Sequence, residues 1–149
     1  METPKLIREN QISQPFESKL SHQLRVLIVD DDVTSEAIWR YIMSEIDDHV
    51  FIDWATSFLE AEQKIHTAAT TDSNYDLIIA DIFLSGSKTG IDLWQKYHKL
   101  FLGKIILVSA VDKSKLAEHM SISDDYPIFL HKPLDINACI KTIDRLSHA

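Results

Sequence analysis

The sequence has little cysteine, little positive charge and no long apolar run. Its 149 residues include a single cysteine, Cys139, which excludes an internal disulfide and is typical of a reducing compartment. The net charge of −8 argues against nucleic-acid binding, because proteins that bind a phosphate backbone need basic patches. No stretch approaches the roughly 18 apolar residues of a membrane span, and no apolar signal segment opens the chain. We therefore expect a cytoplasmic protein without membrane insertion.

The composition is that of one globular domain with a polar extension. Hydrophobic residues make up 45% of the chain and charged residues 26%. Residues 1–23 are polar, carry Pro4 and Pro15, and show no sustained periodicity. We predict a flexible N-terminal arm over 1–23 and one folded domain over 24–149. A short helix that opens at Pro15 is the alternative for the arm.

Short apolar runs alternate with helical patterns from Leu24 onward. The predicted strands are Val26–Val29, Val50–Ala55, Tyr75–Ala80, Lys104–Ser109 and Ile128–Leu130. Four of the five contain continuous apolar stretches, which are typical of strands buried on both faces of a parallel sheet. The alternation predicts an α/β fold: a doubly wound, five-stranded parallel sheet with helices on both faces.

Five helices are predicted between and after these strands. The apolar face of the first is formed by Ala37, Ile38, Tyr41, Ile42 and Ile46. The inward-facing side of the third predicted helix is formed by Leu93, Trp94, Tyr97, Leu100 and Phe101. The fourth, over 112–120, is weaker and charged, and the last runs from Ile136 to Leu146 with Cys139 on its apolar face.

Polar side chains follow four of the strands. They are Asp30, Asp31, Asp32, Asp81, Ser109 and Lys132. Because ligand sites of open parallel sheets lie beyond the carboxyl ends of the strands, these groups should converge. Each pair of carboxylates would repel by about 4 kcal/mol at about 4 Å and an effective dielectric near 20, so a proton or a cation should join them. With oxygen donors and no Cys/His set, Mg²⁺ fits best.

These residues, in this order and at this spacing, resemble the receiver domain of response regulators, the phospho-accepting half of two-component signalling. The resemblance covers about residues 24–147. It implies the sheet order 2-1-3-4-5 of flavodoxin-like folds. It also implies a signalling domain rather than an enzyme, with at most self-phosphorylation and self-dephosphorylation activity.

The resemblance assigns roles to individual residues. Asp31 and Asp81 would ligate Mg²⁺ directly, Asp30 through water, and Phe83 through its backbone carbonyl. Asp81 would take the phosphoryl group from a phosphohistidine, on a histidine kinase or a histidine phosphotransfer protein. Lys132, joined to Pro133 by a cis peptide, would offset charge on the phosphoryl oxygens. The switch residues would be Ser109 and Phe129.

The implied output is docking of a downstream protein or a receiver homodimer, through the fourth helix, fifth strand and fifth helix. No output domain follows the last predicted helix, so we expect a receiver that acts on its own. The chain departs from the family in the loop after Asp81. There Leu84-Ser85 replaces a usual Met-Pro pair, and Gly90 comes one residue later than usual.

Two other functions fit parts of this pattern. Asp30 to Thr34 also matches the nucleophile loop of haloacid-dehalogenase-type phosphatases, in which Asp30 would be the nucleophile. That family needs an acidic pair after the lysine; here only Asp135 and Asp144 follow, both on a predicted helix. A pseudo-receiver that only binds proteins is the other alternative. Asp32 is predicted to cap the first helix rather than to bind metal.

Overall fold

Five parallel strands form one sheet in the computed structural model, which describes residues 22–101, 103–111 and 127–147. The strands are β1 (Arg25–Val29), β2 (Phe51–Ala55), β3 (Leu77–Asp81), β4 (Lys104–Ser109) and β5 (Ile128–His131). Their order, β2-β1-β3-β4-β5, confirms the predicted doubly wound α/β fold.

Four helices flank this sheet in the described ranges. They are α1 (Glu36–Ser44), α2 (Phe58–Thr70), α3 (Gly90–Tyr97) and α4 (Ile136–Ser147). A 3-10 turn, Val33–Ser35, leads into α1. At α3 the Thr89 hydroxyl accepts from the Asp92 amide while the Asp92 carboxylate accepts from the Thr89 amide, so both ends of this capping box are satisfied.

The core lies on both faces of the sheet because successive strand residues point to opposite sides. Leu27 and Val29 of β1 belong to the apolar cluster that includes residues of α2 and α3. Val26 and Ile28 belong to the cluster that includes residues of α1 and α4. Cys139 is buried in the second cluster, and burial raises the pKa of its thiol to about 11, as expected of a packed, unreactive cysteine.

Two details of the predicted helix faces are wrong. In α1 the buried side chains are Trp39, Ile42 and Met43, whereas Tyr41 is 52% exposed. Turning Trp39 and Met43 inward removes more apolar area from water than Ala37 and Tyr41 would. Leu100 is 76% exposed, because α3 ends at Tyr97 and helical periodicity no longer sets the direction of later side chains.

Parts of the prediction fall outside the described residues. Residues 1–21 of the predicted arm and the predicted helix over 112–120 are among them. The two described residues of the arm contact the domain: the His22 ring lies 3.2 Å from the Asp76 carboxylate, and the Gln23 amide donates to the His49 carbonyl. No described helix has the length and apolar character needed to cross a membrane.

Strand register brings the carboxyl ends of four strands together. Val29 of β1 pairs with Ala80 of β3, so the residues after each are neighbours. Asp81 pairs with Val108 of β4, one residue before Ser109, and Ser109 pairs with His131 of β5. The predicted polar residues therefore follow adjacent strands at one edge of the sheet.

Candidate functional site

Asp30 lies buried directly after β1. Its carboxylate accepts hydrogen bonds from the Asp32 amide at 2.9 Å and from the Ser35 hydroxyl at 3.0 Å. Its carbonyl accepts from the indole N–H of Trp54 at 2.9 Å. Burial, with the nearby charge of Asp81, raises the pKa of Asp30 despite these hydrogen bonds and the charge of Lys132. The site thus holds a carboxylate whose charge is costly without a cation.

Asp81 is the last residue of β3, and its carboxylate faces the side chain of Lys132, which follows β5. Nζ of Lys132 lies 2.9 Å from Oδ2 of Asp81 and 3.9 Å from Oδ2 of Asp30. Partial burial alone would lower the pKa of Lys132, but the hydrogen bond and charge of Asp81 outweigh it and raise that pKa. The Phe83 amide donates to the second oxygen of Asp81 at 3.2 Å. Lys132 therefore stays charged beside Asp81.

Three carboxylates form a cluster suited to a hard cation. One oxygen each from Asp30, Asp31 and Asp81 lies within 4.8 Å of the others. The donors are all oxygens, as Mg²⁺ prefers, and one cation would relieve their mutual repulsion. The residues present therefore fit the predicted metal.

Asp32 is a capping residue rather than a member of the carboxylate cluster, as predicted. It precedes the 3-10 turn, and its carboxylate accepts from the Thr34 amide at 3.0 Å and from the Thr34 hydroxyl. These hydrogen bonds lower the pKa of Asp32. It caps the 3-10 turn that leads into α1 rather than α1 itself, whose N-cap residue is Ser35, and it does not join the three-carboxylate cluster.

The remaining predicted residues lie on the strands next to this cluster. Ser109 is 2% exposed, and its hydroxyl accepts from the Val111 amide at 2.9 Å. Phe129 is half-buried in β5 and packs against the cluster on the α2 and α3 face. Phe83 is 55% exposed beside Asp81. The Lys132-Pro133 peptide is cis, as the resemblance implies.

Sequence reasoning missed three hydrogen-bond donors that hold the acidic loops. They are Ser35 on the Asp30 carboxylate, Trp54 on the Asp30 carbonyl, and Ser85 on Asp31. Ser35 follows Asp30 by only five residues. The other two contacts join residues 24 and 54 positions apart, and no local pattern in the sequence signals such a contact.

Gly90 marks a close approach of α3 to the end of β3. A Cβ at this position would lie 2.4 Å from the backbone oxygen of Asp81, and the Gly90 amide donates to the Ile82 carbonyl at 2.9 Å. Only glycine fits so near the strand. In the sequence, the glycine that follows Asp81 in this loop, Gly90, is the feature that could indicate this contact.

Comparison with known proteins agrees with this geometry. Over 126 residues the chain is 28% identical to the sensory transduction protein LytR of Staphylococcus haemolyticus (strain JCSC1435), covering 84% of this chain and 46% of that protein. The chain thus spans about half the length of this curated relative.

Two solved structures illustrate the shared fold. One is a CheY-like response regulator receiver domain protein from Methanospirillum hungatei JF-1, with a TM-score of 0.65, 23% identity, and coverage of 85% of this chain and 95% of that one. The other is the receiver domain of the Francisella response regulator 1452, with a TM-score of 0.59, 26% identity, and coverage of 85% and 98%.

The family model described as "Response regulator receiver domain" matches residues 26–144, which include the whole three-carboxylate cluster and Lys132. The chain therefore belongs to the response regulator receiver domain family, the phospho-accepting signalling domains of two-component systems.

Proposed function

We propose that Asp81 is the residue that accepts the phosphoryl group. The observation that carries this proposal is the 2.9 Å contact between Lys132 and Asp81 at a cluster of three carboxylates. The side chain of Asp81 is also more open than that of Asp30, at 11% exposure against 3%. An incoming phosphorus atom can therefore reach Asp81 more readily.

The donor in this proposal is a phosphohistidine on a histidine kinase or a histidine phosphotransfer protein. A carboxylate oxygen of Asp81 forms the new O–P bond as the P–N bond to the histidine ring breaks. The ring nitrogen keeps the electron pair and takes up a proton. The ammonium of Lys132 faces the oxygens on which charge is carried during transfer. Since histidine kinases phosphorylate their receivers in the cytoplasm, we propose that location here.

Mg²⁺ is the proposed cofactor. Asp30, Asp31, Asp81 and the Phe83 backbone carbonyl would hold it, and when bound it would supply positive charge to the carboxylates and the phosphoryl oxygens. The oxygen-only donor set supports this choice. Asp30 and Asp31 would then contribute binding rather than nucleophilic attack.

We propose that Ser109 and Phe129 carry the signal from Asp81. Ser109 follows the β4 residue paired with Asp81, and Leu107 of β4 pairs with Phe129 of β5, so the two lie on adjacent strands. A phosphoryl group that draws the Ser109 hydroxyl toward it would open space for Phe129 to turn inward. The responding face would include β5 and α4 and would dock a downstream protein or a second receiver. We propose residues 24–149 as the receiver domain and residues 1–23 as an N-terminal arm.

Amide hydrogen exchange with and without beryllofluoride, a phosphoryl mimic, tests this switch. Changes in β5 and α4 are expected, and Asp81→Asn should abolish them. Changes confined to the loop after Asp81 would contradict a switch at that face.

The phosphatase alternative is not favoured by the positions of the remaining acids. The Asp135 carboxylate accepts from the Ala138 amide at the start of α4, which is the position of a helix cap, and Asp144 lies within α4. Neither belongs to the three-carboxylate cluster. A pseudo-receiver is not favoured either, since Asp81, the acidic pair Asp30 and Asp31, Ser109 and Lys132 lie together at one edge of the sheet, as phosphorylation would require.

Intact-mass measurement with acetyl phosphate, with and without Mg²⁺, tests the phosphoacceptor. We expect one added phosphoryl group that requires Mg²⁺ and is lost in Asp81→Asn. Asp32→Asn, which alters a capping carboxylate beside the cluster, is the matched control and should still be phosphorylated. Phosphorylation that persists in Asp81→Asn but disappears in Asp30→Asn would instead support the phosphatase.

A further inference from the structure

The Ser85 hydroxyl donates a 2.6 Å hydrogen bond to Oδ2 of Asp31. The two residues are 54 positions apart, and the bond joins the loop after β3 to the loop after β1. The loop after β1 carries Asp30 and Asp31 of the three-carboxylate cluster, and the loop after β3 follows directly on Asp81, the third member. Ser85 is therefore a direct link between the two halves of the acidic site.

The loop after β3 presents Ser85 in a defined direction. Ile82 and Leu84 are buried, at 2% and 9% exposure, while Phe83 and Ser85 are exposed. This alternation turns the side chain of Ser85 away from the core. Gly86 then bends the chain with a φ of +102°, a conformation that suits glycine. The position of the Ser85 hydroxyl thus follows from how its neighbours are packed.

Asp31 depends on this contact more than the other two carboxylates depend on any one partner. Asp30 is held by the Asp32 amide and the Ser35 hydroxyl, and Asp81 by the Phe83 amide and Lys132. Asp31 is exposed, and across the described ranges Ser85 is the hydrogen-bond donor that reaches its carboxylate. Without Ser85 the Asp31 side chain would be free to rotate into solvent.

We propose that Ser85 is a positioning residue that holds Asp31 toward the cation and so sets the affinity of the site for Mg²⁺. This inference rests on the proposed function, in which Asp31 is a metal ligand. Removing a hydrogen-bond partner that orients a metal ligand typically lowers the affinity for the metal by about 10- to 100-fold. An exposed ligand should lie at the lower end, so we expect Ser85→Ala to weaken Mg²⁺ binding by about tenfold.

The test is to titrate Mg²⁺ into the full chain and to measure its binding affinity by isothermal titration calorimetry. Four proteins are compared: wild type, Ser85→Ala, Ser85→Thr and Ser87→Ala. Ser87 is an exposed serine of the same loop and serves as the matched control. Ser85→Thr keeps the hydroxyl and should restore most of the affinity. In parallel, the rate of phosphorylation by acetyl phosphate is measured against Mg²⁺ concentration. Ser85→Ala should shift the half-saturating concentration upward and leave the rate at saturation unchanged.

The inference is overturned if Ser85→Ala binds Mg²⁺ within about twofold of wild type, since positioning effects exceed that size. Tighter binding would also overturn it, because the hydroxyl would then compete with the cation for Asp31. These failures leave the proposed function intact as long as Asp31→Asn abolishes binding. If wild type binds no Mg²⁺, the proposed metal site fails and this inference fails with it.

Discussion

Lys132 and Asp81 are 51 residues apart, yet their charged groups meet at 2.9 Å. The contact joins the ends of β5 and β3, two strands separated by β4 in the sheet. It supplies one positive charge to a site with three carboxylates. The balance between this lysine and a bound cation should therefore govern both the stability and the chemistry of the site.

Replacing Lys132 by Met should make the fold more dependent on a divalent cation. Without the ammonium the carboxylates repel one another, and we expect a loss of about 1–3 kcal/mol in the free energy of unfolding without Mg²⁺. Mg²⁺ should then stabilise the variant more than it stabilises wild type. Urea denaturation with and without MgCl₂ measures both quantities. Lys104→Met, at an exposed lysine of β4, is the control and should show neither effect.

Mg²⁺ should stabilise the wild-type fold, because the folded state has a cation site that the unfolded chain lacks. Asp31→Asn should abolish most of that stabilisation, and Asp32→Asn little of it, since Asp32 caps the turn before α1. Thermal unfolding at increasing MgCl₂ gives the comparison. A larger loss of the Mg²⁺ response in Asp32→Asn would invert the assignment of ligand and cap.

The phosphorylated state should be long-lived. The resemblance to receivers implies that the side chains two residues after the phosphorylated aspartate and two after the Ser/Thr flank the path of the attacking water; with Asp81 and Ser109 in the proposed roles, these are Phe83 and Val111. Both are apolar and cannot orient a water molecule for attack. Loss of the phosphoryl group would then occur mainly by back-transfer to a partner or through a phosphatase.

The lifetime is measured by following decay of the phosphorylated protein against a Phe83→Asn, Val111→Glu double variant, which we expect to decay faster. Leu59→Asn replaces another exposed apolar residue, at 63% exposure, and should decay like wild type. A wild type that decays as fast as the double variant would contradict the role of these two side chains.

Gly90→Ala should impair phosphorylation as well as stability. The added methyl group would lie 2.4 Å from the Asp81 carbonyl, so either α3 or β3 must shift, at a cost of about 1–3 kcal/mol. Gly103→Ala is a matched control, because its methyl group would meet the Asp76 carbonyl at the same 2.4 Å at the opposite end of β3. Equal losses of phosphorylation rate in the two variants would show that the effect is only one of stability.

Asp53 should make stability depend on acid pH. Burial would raise the pKa of Asp53, but hydrogen bonds from Lys64 at 2.8 Å, Tyr75 at 2.7 Å and the Trp54 amide outweigh it and lower that pKa. The resulting stabilisation is present above the ordinary Asp pKa of about 3.9 and is lost as pH falls through the lower folded-state value.

Urea denaturation between neutral and acid pH should therefore show a gap between wild type and Asp53→Asn that closes below about pH 4. Asp48→Asn, at an exposed aspartate, should differ little from wild type throughout. A gap for Asp53→Asn that stays constant across this range would contradict the prediction.

The strands and the acidic edge were predictable from the sequence, because apolar runs and the residues that follow them are local features, whereas the strand order came from the resemblance to receiver domains. Lys104–Ser109 was predicted with the bounds that the structure has. A strand end needs no knowledge of distant contacts, and parallel topology then brings the ends together. The direction of the α1 face was less predictable, since Trp39 and Tyr41 are both apolar enough to be buried and packing chose between them.

The order of residue types along the chain by itself determined the fold class, the acidic cluster and the lysine beside it. Only the tertiary structure decided which neighbours hold those groups. Trp54 binds the Asp30 carbonyl, Ser85 binds the Asp31 carboxylate, and Gly90 packs on the backbone of Asp81. Such contacts depend on distances between loops from different strands, and those distances exist only after the sheet and its helices have packed.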